Sequence, residues 1–241
     1  MVEEACAVAI MAKASLAGEV KTRLVPPLSH AQAAEFNTCC IADVAAAIED
    51  AAGRVPICGF AAYHPLGSEG FFREVLPAGF GLLPPREPTL GKSLVHAVRE
   101  LLAQGWGAVC LVNSDSPNLP SELLADAVRR LQQPGDRVVL GPAADGGYYL
   151  IGLKRLHLRL FDEIDWSTER VYRQTLARAV EVGLDAVSLP EWYDVDDADS
   201  LAQLWRQLRA DGDRRAPRTR SFLDGLVAAD PGLRRLFDGG G

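Results

Sequence analysis

The chain of 241 residues has no apolar run of the roughly 18 or more residues that a membrane span requires. The longest such run near its start, residues 5–12, stops at Lys13. A secretory signal would open on basic residues and end in a small-residue cleavage site, whereas this chain begins with Glu3 and Glu4. These absences predict a cytoplasmic protein with no membrane span. Cysteine is scarce: Cys6, Cys39, Cys40, Cys58 and Cys110 are odd in number and show none of the paired spacings of a zinc site. Cys6, Cys58 and Cys110 lie inside apolar runs and are expected to act as small buried hydrophobes. Positive charge is in deficit, 25 Lys+Arg against 32 Asp+Glu for a net charge of -7, so the molecule as a whole repels polyanions. Nucleic acid is therefore not an expected partner, and an anionic ligand needs a local basic cluster.

Two phosphate-binding fingerprints are missing as well. Gly91-Lys92-Ser93 has Arg86 where a Walker A loop requires its first glycine, and no glycine precedes Lys21-Thr22. The G-x-G-x-x-G of dinucleotide sites does not follow the first apolar run. What remains is ordinary globular composition, 48% hydrophobic and 24% charged with 22 Gly and 15 Pro. The length suits one large α/β domain or two small ones.

Short apolar runs at 5–12, 55–62, 79–83, 108–112, 138–141, 148–153 and 186–189 alternate with helix-like segments. This is the pattern of an α/β fold, a mostly parallel sheet with helices on both faces. Ser29 and Gln32 have capping-box spacing at the head of a helix that carries Phe36, Cys40, Ile41, Val44 and Ile48 on one face and ends at Gly53. A second helix is expected after Pro120, and a third from Ser167 to about Gly183. Residues 1–209 read as one domain. Residues 210–241 read as a charged extension with Arg214, Arg215, Arg218 and Arg220, a short amphipathic helix and a frayed Gly239 to Gly241.

Four clusters fall at the ends of predicted strands, where open α/β sheets collect ligands. After the first strand come Lys13, Lys21, Thr22 and Arg23, three cations and a hydroxyl able to neutralise a diphosphate; without context the same residues describe a solvated basic loop. At residues 113–120, Asp115 sits in a proline-stiffened segment suited either to a hard divalent cation or to capping a turn. Asp145 in A-D-G-G-Y-Y-L marks a hairpin turn. In Y-D-V-D-D, Asp194, Asp196 and Asp197 crowd together, one of them explicable as a helix cap and Asp196 favoured for an ion. In W-S-T, Ser167 is expected to cap the third helix.

Taken in order, K-x-x-x-x-G-x-V-K-T-R-L, S-D-S-P, D-G-G-Y-Y-L-I-G-L, W-S-T and D-V-D resemble a bacterial family of glycosyltransferase-like proteins, over roughly residues 7–208. Some of its members are assigned to arsenosugar biosynthesis. The resemblance implies a GT-A fold, that of the nucleotide-diphospho-sugar transferase superfamily, with Mg2+ or Mn2+, a nucleotide-sugar donor and a small-molecule acceptor. It implies that Lys13, Lys21, Thr22 and Arg23 bind donor phosphates and that Asp115 holds the metal with help from Asp196. Asp145 would then be a further active-site carboxylate, as base or metal ligand. The D-x-D of many glycosyltransferases is absent, because Asn113 and Ser114 precede Asp115. Two alternatives accompany this reading. One is a nucleotidyltransferase similar to phospholactate guanylyltransferases, releasing pyrophosphate, and the other a non-catalytic nucleotide or sugar-phosphate binding protein.

Overall fold

All seven apolar runs form strands, because in each the apolar residues are contiguous and turn residues bound them. In a computed structural model describing residues 4–87, 89–210 and 214–239, they are β1 (Cys6–Lys13), β2 (Ile57–His64), β3 (Gly81–Leu83), β4 (Ala108–Asn113), β5 (Arg137–Pro142), β6 (Tyr148–Leu153) and β7 (Asp185–Ser188). They make one sheet in the order β3-β2-β1-β4-β6-β5-β7. Only β6 runs against the others among the described residues, since β4 and β5 both pair with it antiparallel and the remaining pairs are parallel.

The chain steps outward from β1 to β2 and β3, then returns to lay β4 on the other side of β1. That reversal opens a crevice beyond the carboxyl ends of β1 and β4, at Lys13 and Asn113, where ligands bind in sheets of this kind.

The central strands are buried on both faces, as parallel strands covered by helices must be. Cys6, Val8, Ile10 and Ala12 of β1 face a core shared with α1 (His30–Ala52) and α4 (Ser121–Gln132), whereas Ala7 and Ala9 face α3 (Leu90–Ala103) and α5 (Val171–Glu181). A seven-residue helix, α2 (Glu69–Val75), lies between β2 and β3. The α1 start carries the expected capping box: Gln32 N–H donates to Ser29 Oγ at 3.2 Å and Ser29 N–H to Gln32 Oε1 at 2.8 Å. Gly53 closes the helix.

Three expectations need correction. Ser167 does not cap a helix: it takes a left-handed backbone (φ 64°), and α5 starts at Val171 with Arg170 before it. Thr168 Oγ instead donates to the Asp165 carbonyl at 2.7 Å, closing a turn. Cys58 is exposed, not buried, because β3 pairs with β2 only from Phe60 onward and leaves the first residues of β2 uncovered. Among the described residues beyond 210 there are two helices, α7 (Pro217–Ala229) and α8 (Pro231–Phe237), where one short helix was expected. Both pack with α6 (Ala198–Leu208), so that Leu223, Val227 and Phe237 share a third core with Trp205, Phe36, Leu24 and Val195. The α7 start is held by Asp43 of α1, buried at 3% exposure, which accepts the Arg218 N–H at 3.1 Å and the Thr219 N–H at 2.7 Å. Asp211 and Gly240 to Gly241, part of the expected charged and frayed tail, lie outside the described residues. Among the described residues no helix is long and apolar enough to cross a membrane.

Candidate active site at the ends of the first and fourth strands

The basic loop after β1 is built from buried anchors. Leu24 is fully buried beneath it, and Asn37 of α1, itself buried, donates to the Lys13 carbonyl at 3.0 Å and to Ser15 Oγ at 2.9 Å. Lys13 is exposed and its Nζ folds back onto the Glu19 carbonyl at 3.1 Å. Lys21 has a left-handed backbone (φ 48°, ψ 36°) ahead of a short 3-10 turn, Thr22–Leu24. That conformation is uncommon for a residue bearing a Cβ and concentrates at functional sites.

From the other side come the segment after β4 and the stretch before α6. The Val195 N–H donates to the Asp115 carbonyl at 2.8 Å, so the two chains touch at the site. A bridge between Ala143 and Trp192 brings the second one in. Val195 is fully buried, and its neighbours point away from that core: Asp196 lines the crevice, and Asp194 turns to Asn113 and Ser116 after β4. Asp197 caps α6, accepting the Ser200 N–H at 2.8 Å, and so supplies the helix cap expected in Y-D-V-D-D.

These elements enclose a cavity of about 290 Å³ lined by Lys13, Lys21, Thr22, Arg23, Asp115 and Asp196, among others. Six of the seven site residues read from the sequence thus meet in one place. A second cavity of about 340 Å³ adjoins it across Met11 and Lys13, walled by the ends of β1, β2 and β3 and by α3.

The six are not equivalent. Lys21 Nζ is paired with Asp115, with Asp196 at 3.1 Å and with the Val195 carbonyl at 2.8 Å, and its side chain is only 4% exposed. Burial alone would lower its pKa, but the carboxylates of Asp115 and Asp196 outweigh that and hold it above the ordinary lysine value. Arg23 reaches Asp196 Oδ2 at 2.5 Å with its own side chain 71% exposed. Asp196, expected to help hold a metal, therefore spends both oxygens on cations.

Asp145 stands apart from the cavity. Its Oδ1 accepts the Gly147 N–H at 2.8 Å in the turn between β5 and β6, the hairpin read from the sequence.

Sequence reading missed the part played by Asn113, Ser116 and Asp194. Asp194 Oδ1 accepts from Asn113 Nδ2 at 2.6 Å and from Ser116 Oγ at 2.7 Å. Burial first, then the charges of Asp115 and Asp145, push its carboxyl up to about 6, against the pull of those two donors. Asp194 thus lies near enough to both acids to feel their charge. The signal available in the sequence was Asn113 itself, an amide where a D-x-D would carry an acid.

Hard oxygen donors under mutual repulsion suit Mg2+ or Mn2+. Asp115 keeps 37% of its side chain exposed, and Asp194 Oδ2 has no hydrogen bond among the described residues. No group of three His, Cys, Asp or Glu among the described residues stands arranged to hold an ion alone. Phosphate oxygens and water would have to complete the shell, as is usual for Mg2+.

The profile of a family described as an uncharacterized protein conserved in bacteria (DUF2064) matches residues 47–168, just over half of the chain. Among solved structures, a proposed nucleotide-diphospho-sugar transferase from Desulfovibrio desulfuricans G20 is 28% identical, with a TM-score of 0.85 over 98% of this chain and 99% of that one. A cytidylyltransferase from Leptospira borgpetersenii aligns at TM-score 0.53 and 11% identity over 95% of each chain. A CMP:2-keto-3-deoxy-manno-octonic acid synthetase aligns at TM-score 0.54 and 13% identity, covering 86% of this chain and 98% of that one. A comparison with curated proteins finds no match. The fold is that of the nucleotide-diphospho-sugar transferases.

Proposed function

This chain belongs to the bacterial DUF2064 family, and we propose that it takes a nucleotide-activated sugar, passes the glycosyl group to a small acceptor and releases a nucleoside diphosphate. The observation that carries this reading is the single cavity in which Lys13, Thr22 and Arg23 face Asp115 at the reversal of strand order. In a protein of net charge -7, such a cluster concentrates cations where a diphosphate would lie. The likeness to the Desulfovibrio protein, over nearly the whole of both chains, supports the same class of donor.

Lys13 offers a point charge and Arg23 a two-pronged fork to the phosphates, with the Thr22 hydroxyl beside them. The cavity of about 340 Å³ next to Lys13, mostly apolar between strand ends and α3, suits the nucleobase. Asp115, with Asp194, would hold Mg2+ or Mn2+, which would supply Lewis-acid stabilisation of the leaving diphosphate. Lys13 and Arg23 stabilise the same developing charge from the opposite side. Asp145, exposed on its turn with Oδ2 outside the turn's hydrogen bond, is assigned to receive the proton of the acceptor hydroxyl.

The test is a calorimetric panel of nucleoside di- and triphosphates and nucleotide-sugars with and without Mn2+, followed by product analysis. We expect binding that needs Mn2+ and is lost in Asp115→Asn, with a nucleoside diphosphate as product. Binding undiminished in Asp115→Asn would sink the role of that residue. Pyrophosphate released from a nucleoside triphosphate would replace glycosyl transfer by nucleotidyl transfer, and no binding of any nucleotide would overturn the whole reading.

A further inference from the structure

Lys21 lies between the two cations assigned to phosphate, yet its own ammonium is committed elsewhere. It has three hydrogens to donate, and three acceptors surround it: an Asp115 oxygen, Asp196 Oδ1 at 3.1 Å and the Val195 carbonyl at 2.8 Å. None is left for a phosphate oxygen. With 4% of the side chain exposed, it is also shut off from the solvent through which a donor would arrive. Its place is the gap between two carboxylates contributed by different segments, Asp115 after β4 and Asp196 before α6. A cation in that gap offsets the repulsion of the two acids, which is what a chelated divalent ion would otherwise do.

We propose that Lys21 is a resident cation of the Asp115–Asp196 gap, a positioning residue that ties the loop after β1 to both acidic segments and excludes a divalent ion from between them. This rests on the reading of Asp115 as an ion-holding carboxylate given above. The divalent ion is thereby directed to the outer side of Asp115, toward Asp194, and away from Asp196. The left-handed backbone at Lys21 fits this role, because an uncommon conformation persists only where its surroundings fix it, here Leu24 buried below and three acceptors above. Lys13 and Arg23 remain on the open side of the same loop, each with an exposed side chain.

The measurement is Mn2+ binding to the full chain without nucleotide, followed by electron paramagnetic resonance of the free ion, in the wild type, Lys21→Met and Lys21→Met with Asp196→Asn. Emptying the gap leaves Asp115 and Asp196 Oδ1 without the ammonium between them, while Arg23 stays on Asp196 Oδ2, so Lys21→Met should bind Mn2+ at least tenfold more tightly, and Asp196→Asn should cancel the gain. A folded Lys21→Met protein with equal or weaker Mn2+ affinity would overturn the proposal; loss of a merely structural lysine would not tighten an ion. If Lys21→Met does not fold, acetylation of the metal-free wild type decides. Lys21 should be modified at least tenfold more slowly than the exposed Lys13 and Lys92, and equal rates would refute a resident ammonium. Nucleotide is absent from both measurements, so failure of the nucleotide-sugar reading leaves their outcome intact. Failure here, conversely, returns Lys21 to the phosphates and leaves that reading standing.

Discussion

Asn113 Nδ2 donates to Asp194 Oδ1 at 2.6 Å, and this bond joins the end of β4 to the stretch before α6, 81 residues further along the chain. An amide is required there. A carboxylate at 113, as in a D-x-D, would face Asp194 without a proton to give. Asn113→Asp is therefore expected to destabilise the metal-free protein at pH 8 by about 1–3 kcal/mol, by removing a donor and adding a like charge. Urea unfolding in the presence of a chelator measures it, and an unchanged midpoint would show that the bond contributes nothing.

The same acid imposes a pH dependence. The Asp194 carboxyl is raised from the ordinary 3.8 to about 6. Between those values the folded chain keeps a proton that the unfolded chain has released. This contribution to stability is complete below the lower value and is lost as pH rises through about 6. The loss should amount to roughly 2–3 kcal/mol in metal-free buffer. Asp194→Asn should flatten that part of the profile, so unfolding midpoints from pH 4 to pH 8 that coincide in slope for the two proteins would refute the assignment.

Gly146 tests how the turn carrying Asp145 is fixed. Its φ is +88°, and a Cβ there would run into the backbone of Glu169, whose segment is further tied by the Tyr172 N–H donating to the Gly146 carbonyl at 2.9 Å. Gly146→Ala should cost about 2–4 kcal/mol, since it combines an unfavourable backbone with an overlap that no side-chain rotation relieves. Gly79→Ala, where a Cβ meets nothing within 4 Å, is the control and should leave thermal unfolding nearly unchanged. Similar losses in the two would remove the steric explanation.

Why some of this was legible in the sequence follows from range. The strands are local: a short contiguous apolar run bounded by turn residues, such as 108–112, suits a strand covered on both faces, and all seven runs form strands. The Ser29–Gln32 box is equally local. Lys13, Lys21, Arg23, Asp115 and Asp196 stand out in the sequence as charged residues at the ends of predicted strands, and the fold gathers them around one cavity. Direction was not legible. That Lys21 turns inward and Arg23 outward depends on a left-handed residue, on buried Leu24 and on acceptors 174 and 175 residues away. Ser167 misled for the opposite reason: a good capping residue was used in a turn, where it is left-handed at φ 64° and Thr168 Oγ closes onto the Asp165 carbonyl before α5 begins.

The C-terminal helices carry the last prediction. Leu24 under the basic loop and Val195 between Asp194 and Asp196 belong to one core with Leu223 of α7 and Phe237 of α8, so the extension forms the floor behind both halves of the site. The floor is fastened by Asp43, whose two oxygens take the Arg218 and Thr219 N–H groups at the start of α7. Burial raises this carboxyl above the ordinary value, against the pull of those donors. Asp43→Ala leaves two N–H groups without an acceptor and should cost about 1–3 kcal/mol. In hydrogen exchange, protection should fall first in α7 and α8, with β1 and β4 keeping theirs, and the affinity for a nucleoside diphosphate with Mn2+ should fall in parallel because Leu24 and Val195 lose their support. Lost protection in α7 and α8 with undiminished nucleotide affinity would separate the extension from the site and confine its role to stability.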